Sequence, residues 1–251
     1  MTAPVFLVEP GRLDDVAPGD VFRLDGTEGR HAGVVQRRAQ GERVDVVDTC
    51  GVRLVGVVAA VGPDGVDVRA QDVVREPVPD VRLVLVQALA KGDRDELAIE
   101  AATEVGVDAV VPWQADRSIV VWRGERAAKS RARWLGTVRT AAKQSRRAWV
   151  PDVEHALDST RLAARAREVV AAGGAVLVLH ERATAPLAQA SLPQTGEVLV
   201  VVGPEGGISD DELARLTEAG ASAVRLGPHV LRTSTAGPVA LTLLATRLGR
   251  W

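Results

Sequence analysis

The 251-residue sequence predicts an α/β protein in two parts: a small N-terminal β-barrel, then a larger domain whose mostly parallel sheet carries helices on both faces. Three observations lead there. The first seventy-odd residues are short apolar runs divided by turns. From Val81 onward, continuous Val/Leu runs alternate with helical periods. Between them, Arg75-Glu-Pro-Val-Pro-Asp80 sets two prolines close together, which opposes both helix and sheet and marks a linker. The domains so defined are 1–74 and 81–251, joined by 75–80.

In order, strands are predicted over Val5–Val8, Val21–Leu24, Arg43–Asp48, Val52–Val61 and Val66–Val73, with a hairpin turn at Pro63-Asp64-Gly65 and one short helix within His31–Arg38. Beyond the linker come strand Val81–Ala90, helix Arg94–Val105, strand Ala109–Pro112 and a long helix over roughly Glu125–Arg147. Helix Thr160–Ala171, strands Ala175–Leu179 and Glu197–Val202, helix Asp210–Ala219, strand Ala223–Leu226 and helix Ala236–Leu248 complete the chain.

Composition narrows the function. With 46% hydrophobic and 25% charged residues, the chain fills sizeable cores and is an ordinary globular protein. No apolar run reaches the length of a membrane span, and Met1-Thr-Ala-Pro-Val-Phe-Leu-Val-Glu lacks the basic and apolar regions of a secretory signal. Cys50 is the one cysteine, so no internal disulfide forms, and four dispersed histidines show no metal-ligand spacing. A cytoplasmic location is expected. Net charge is −2, yet residues 117–147 hold ten basic side chains against Glu125 alone. That segment is either a footprint for a polyanion or a solvated helix face, and the density of charge favours the former.

The segment Glu197-Val-Leu-Val-Val-Val-Gly-Pro-Glu-Gly-Gly-Ile-Ser-Asp-Asp-Glu212 and the segment Leu226-Gly-Pro-His-Val-Leu-Arg-Thr-Ser-Thr-Ala236 each run from a strand through a glycine-bearing loop into a helix. Two such loops build one pocket at the carboxyl ends of neighbouring strands. Ser209 and Glu212 fit a capping box, and Asp210 and Asp211 add negative charge in the same turn. A phosphate there is repelled, and Gly203-Pro-Glu-Gly-Gly207 matches neither dinucleotide nor P-loop fingerprints. A neutral or cationic ligand suits the loop, with adenosine lying against Gly206-Gly207; the bland alternative is a tight turn that needs glycine. In the second loop Arg232 is either a surface charge or a side chain that reaches a carboxylate or phosphate, and its place between Leu231 and a run of hydroxyls favours the latter. Ser234 or Thr235 caps the following helix, and Pro238 falls in its first turn.

The pair GPEGGISDDEL and LGPHVLRTSTA resembles the signature of the RsmE family, 16S ribosomal RNA uridine-N3 methyltransferases of the SPOUT superfamily. Ala90-Lys-Gly-Asp93, Ala102-Thr-Glu-Val-Gly-Val107, Arg117-Ser118, Gln144-Ser145 with Arg147, Val150-Pro151, Leu179-His-Glu181, and His31 with Arg37 are similar too, in the same order along essentially the whole chain. Departures are Ser234, Lys143 and Ala101, where the family has Glu, Glu and Lys, and His229, where it is often basic.

The resemblance implies a SPOUT-type methyltransferase domain with a C-terminal trefoil knot, preceded by a PUA-like RNA-binding β-barrel. It also implies S-adenosylmethionine as cofactor, 16S ribosomal RNA in the small ribosomal subunit as substrate, and a homodimer. Cofactor contacts fall on Leu179, His180, Glu181, Gly203, Pro204, Glu205, Gly206, Leu226, Gly227, Val230, Leu231, Thr233 and Thr235. RNA contacts fall on His31, Arg37, Lys91, Arg117, Lys143 and Arg147. Since N3 lies on the pairing edge, the base must be unpaired or flipped. Arg232 is the candidate to stabilise the uracil anion, while Glu205 is either its proton acceptor or a carboxylate that structures the loop. Trp149, beside Arg146-Arg147, is a candidate base-stacking side chain. Two rival readings are a SPOUT methyltransferase with another RNA target and a catalytically silent RNA-binding assembly factor.

Overall fold

The structure, a computed structural model, describes residues 3–251. The chain folds as two compact units, one comprising the residues to Val78 together with Ala142–Val150, the other Pro79–Ala141 with Pro151–Trp251. Residues 142–150 lie far along the sequence from the rest of their unit, so strand and helix periodicity does not reveal where they pack.

In the first unit, strands β1 (Val5–Leu7), β2 (Val21–Leu24), β3 (Arg43–Val47), β4 (Val52–Gly62) and β5 (Gly65–Arg75) form one sheet in the order β1-β3-β4-β5-β2. The β1–β3 pairing is parallel and the rest antiparallel. β1 and β2 are opposite edges, so the sheet is a half-barrel, compatible with the small β-barrel expected. Alternate residues of β4 point inward, and Phe6, Phe22, Leu24, Val46, Leu54 and Val68 fill the core. Helix α1 (Gly26–Arg30) passes directly into a π-helical turn, His31–Val35.

Residues 142–150 pack in this unit through Ala148, buried with Val5, Leu7 and Val47. Trp149 is half-buried against Gly51 and donates its indole N–H to the Glu76 carbonyl at 3.2 Å. The ring of Trp149, a candidate for base stacking, thus packs on the unit's own backbone.

The second unit contains β6 (Val81–Ala88), α2 (Arg94–Glu104), β7 (Ala109–Gln114), α3 (Glu125–Gln144, its last three residues in the first unit), β8 (Asp152–Val153) and β9 (Leu157–Asp158). These are followed by α4 (Ser159–Ala171), β10 (Ala175–Leu179), a 3-10 turn (Leu187–Gln189), β11 (Gly196–Val202), α5 (Asp210–Glu218), β12 (Ser222–Val224) and α6 (Thr233–Arg247). The strands run parallel in the order β12-β10-β11-β6-β7-β8, with β9 also on β7. Burial on both faces explains the nearly unbroken Val/Leu runs of β6 and β11.

Along β6 the side chains alternate between faces. Val84 and Val86 join Leu162 and Ala166 of α4 and Leu216 of α5 in one core. On the other face α6 lies so close to β6 that a Cβ on Gly237 would stand 2.8 Å from Leu85 Cδ1, and α2 packs against α6. The chain builds β7 and β8 to one side of β6, and β11, β10 and β12 to the other. The order therefore reverses between β6 and β11, where an open α/β sheet leaves a crevice at its strand ends. Among the described residues no helix is long and apolar enough to cross a membrane.

Candidate active site

Three loops leave the C-terminal ends of β10, β11 and β12 and enclose a cavity of about 760 Å³. Leu179, His180 and Glu181 come from the first loop, Gly203, Pro204, Glu205 and Gly206 from the second, and Leu226, Gly227, Val230, Leu231, Arg232 and Thr233 from the third. Every cofactor-contact residue expected from the sequence lines this cavity except Thr235, which lies exposed on the first turn of α6. Such a volume suits a ligand of nucleoside size.

The glycine loop has little room for side chains. A Cβ on Gly203 would stand 2.7 Å from Ile208 Cγ1, and one on Gly206 would stand 3.1 Å from Arg117 Cβ. Arg117 lies over the loop and donates to the Gly206 carbonyl at 2.9 Å. The capping box forms as read: Ser209 Oγ accepts from the Glu212 N–H, and Glu212 Oε2 accepts from the Ser209 N–H. The sequence did not reveal how much more Glu212 does. It is fully buried, and its Oε1 also accepts from Ser159 Oγ at 2.6 Å and from the Asp116 N–H at 2.8 Å. One carboxylate thus joins the starts of α4 and α5 to the turn that carries Arg117.

Glu205 is ion-paired to Arg94 Nη1 at 2.6 Å. Burial pushes its carboxyl up, but the Arg94 hydrogen bond and charge outweigh burial and hold it below the usual range. It is a weak base in this setting, and the loop-structuring reading describes its geometry. Arg232 is exposed on the cavity wall, and among the described residues its guanidinium has no hydrogen bond or ion pair. It is available to a ligand.

The start of α6 differs from expectation. Arg232 occupies the N-cap, with no side-chain cap bond, so Ser234 and Thr235 lie in the first turn and Pro238 lies beyond it. The reason is Thr233, which begins the helix one turn early. Its hydroxyl donates to the Gly203 carbonyl at 2.8 Å and accepts from Gln87 Nε2 at 2.9 Å, which draws the chain inward.

The basic segment is not one uniform face. Arg117 holds Gly206, Arg131 bonds the Val153 carbonyl, Arg133 pairs with Glu96, and Lys143 pairs with Glu28 at 2.7 Å. Lys143 also lies over the Phe6 ring, so its charge is largely answered within the protein. Arg123, Arg126 and Lys129 remain exposed near the start of α3. Of the other expected RNA contacts, His31 packs edge-on to Phe6 and shares a 2.9 Å hydrogen bond with Gln36, Arg37 holds a left-handed backbone (φ 52°), and Lys91 is exposed. Arg147 is half-buried in the first unit. No group of potential metal ligands occurs among the described residues.

Sequence reasoning missed Arg94, Gln87 and Arg225, and it noted His229 only as a departure from the family without placing it in the cavity. Arg94 follows the Lys91-Gly-Asp segment, and Gln87 interrupts an otherwise apolar run, a signal that could have drawn notice.

The family model described as an RNA methyltransferase domain matches residues 77–245. The ribosomal RNA small subunit methyltransferase E of Mycobacterium bovis is 49% identical over all of this chain and 94% of its own length. That of Bacillus subtilis is 31% identical over 89% of each. Among solved structures, the S-adenosylmethionine-bound enzyme of the same name from Neisseria gonorrhoeae superposes with TM-score 0.84 at 26% identity over 98% of both chains. A Legionella pneumophila methyltransferase in complex with S-adenosylmethionine gives TM-score 0.80 at 28% identity, also over 98% of both. The chain belongs to the RNA methyltransferase family, among the ribosomal RNA small subunit methyltransferases E.

Proposed function

We propose that this protein transfers a methyl group from S-adenosylmethionine to N3 of a uridine in the decoding region of 16S ribosomal RNA, acting on the small ribosomal subunit in the cytoplasm. The observation that carries the proposal is the three-loop cavity at the strand ends, set beside a full-length likeness to enzymes of that name. The cavity fits the cofactor. Its glycine loop allows close backbone approach, and the neighbouring helix start is capped and acidic, which suits a phosphate-free ligand bearing a sulfonium.

When bound, S-adenosylmethionine supplies an electrophilic methyl and its leaving group. Gly203, Pro204, Gly206, Leu226, Gly227, Val230 and Leu231 would hold it by backbone and apolar contact, together with Leu179, His180 and Glu181 of the same cavity wall. Arg232, on the cavity wall, would stabilise the negative charge that develops on the uracil as N3 gives up its proton to solvent water, a preorganised cation where that charge appears. Glu205 keeps the glycine loop in place through Arg94.

The half-barrel sheet with residues 1–74 is assigned as the PUA-like RNA-binding domain, and 81–251 as the SPOUT domain. The trefoil knot is supported by the path of the chain. From the edge strand β12 it crosses the cavity through residues 225–232 to α6, whose Arg247 donates to the Leu187 and Ala190 carbonyls of the earlier β10–β11 connection. A homodimer is supported by exposed Leu97 on α2 and by exposed Val239 and Leu243 on α6.

RNA contacts are assigned to His31, Arg37, Lys91 and Arg147, with Arg123, Arg126 and Lys129 adding exposed charge. Arg117 and Lys143 support the protein itself. Calorimetric titration with S-adenosylmethionine tests the cofactor site. Micromolar binding is expected, and no binding would leave only a silent RNA-binding scaffold.

A further inference from the structure

We propose that Gln87 is a positioning residue that holds the glycine loop and Arg232 in register for S-adenosylmethionine; this rests on the methyltransferase reading above. Gln87 is the penultimate residue of β6, flanked in the sheet by Val202 of β11 and Pro112 of β7, and is completely buried. The directions of its hydrogen bonds follow from elementary donor counting. The Gly203 carbonyl only accepts, so the Thr233 hydroxyl gives it its single proton, at 2.8 Å. That hydroxyl must then accept from Gln87, which places Nε2 against it at 2.9 Å. The second Nε2 proton goes to the Ala88 carbonyl at 3.2 Å.

Gln87 Oε1 is left buried without a partner among the described residues. A buried orphan acceptor costs stability, and a nonpolar side chain of the same size would fill this space without that cost. The amide is therefore explained by what its donor ties together. The two groups it links, Gly203 and Thr233, both line the cavity, and Arg232 immediately precedes Thr233. One turn further on, α6 is pressed against Leu85 at Gly237, so the helix is seated on β6 at two points. Gln87 fixes the first of them and, through Thr233, the height of the glycine loop.

Gln87→Met keeps the volume and removes both amide atoms. The expected result is a melting temperature equal to or above that of the parent protein, with the Kd for S-adenosylmethionine raised roughly three- to tenfold, the range for one hydrogen bond. Thr233→Val weakens binding to a similar degree, Thr233→Ser binds more tightly than Thr233→Val, and the Gln87→Met/Thr233→Val double variant is no weaker than the worse single one. A Gln87→Met protein with the parent Kd and parent kcat/KM, or a double variant whose losses simply add, overturns the proposal. Should Gln87→Met fail to fold, equal affinity of the Thr233→Ser and Thr233→Val proteins overturns it. A parent protein that binds no S-adenosylmethionine overturns the methyltransferase reading as well, and that control separates the two failures.

Discussion

Arg94 Nη1 stands 2.6 Å from Glu205 Oε1, tying the start of α2 to the glycine loop across the mouth of the cavity. The pair favours the loop-structuring reading of Glu205. Burial raises its carboxyl, but Arg94 overcomes this and holds it below the usual range. Its contribution to stability is therefore present at neutral pH and lost as pH falls through the lowered pKa. Glu205 is fully ionised wherever the enzyme works, so Glu205→Gln is expected to weaken cofactor binding while leaving the shape of the kcat/KM profile between pH 6 and 9. Disappearance of a limb of that profile in the variant would make Glu205 the proton acceptor.

Arg232 is the residue proposed to stabilise the uracil anion. Its exposed guanidinium, unpaired among the described residues, is expected to matter more for turnover than for cofactor binding. Arg232→Ala should lower kcat by about 10²–10³-fold, the usual loss for one preorganised charge-stabilising donor, with the Kd for S-adenosylmethionine within a few-fold of the parent. Arg232→Lys restores charge but not the planar fork, and should recover part of the loss. Normal turnover by Arg232→Ala would remove the role.

Glu212 acts as an anchor. Its carboxylate accepts from Ser159 Oγ, Ser209 N and Asp116 N, all within 2.9 Å. Glu212→Ala orphans these donors and opens a void, so a loss of about 3 kcal/mol in unfolding free energy is expected. Chemical denaturation measures it; a change below about 1 kcal/mol would contradict the hub.

Asp95 is buried near the start of α2, and burial pushes its carboxyl up to about 6. With the folded pKa above the unfolded one, the folded state binds the proton more tightly. Stability from this group is complete below about pH 4 and declines as pH rises to about 6. Asp95→Asn, which carries no ionisable carboxyl, is expected to be more stable than the parent at pH 7 by about 2 kcal/mol and to flatten that slope. Parallel pH–stability curves for the two proteins would refute the shift.

The second unit was largely legible because parallel strands buried on both faces leave long Val/Leu runs, which alternate unmistakably with amphipathic helices. β8 and β9 are two residues each, too short for any periodicity to register. The two cavity loops could be read from glycine placement, and the capping box from Ser209 and Glu212 alone. Their partners could not. Glu212 reaches Asp116 across 96 residues of chain, and Lys143 reaches Glu28 across 115. Local pattern carries no information at such separations. The run of basic residues therefore looked like one polyanion surface, although Arg117, Arg131, Arg133 and Lys143 among its members hold partners within the protein. The start of α6 misled for a related reason: Ser234 or Thr235 was expected to cap the helix, whereas the helix begins at Thr233, whose hydroxyl is bonded to Gln87 and Gly203.

The central claim is tested most directly by methyl transfer. Labelled S-adenosylmethionine is incubated with the protein and small ribosomal subunits that lack their modifications, and the product is mapped by mass spectrometry. N3-methyluridine at a single decoding-region position is the predicted result. Methyl transfer to a different atom or RNA, or none by a protein shown to bind the cofactor, would contradict the assignment.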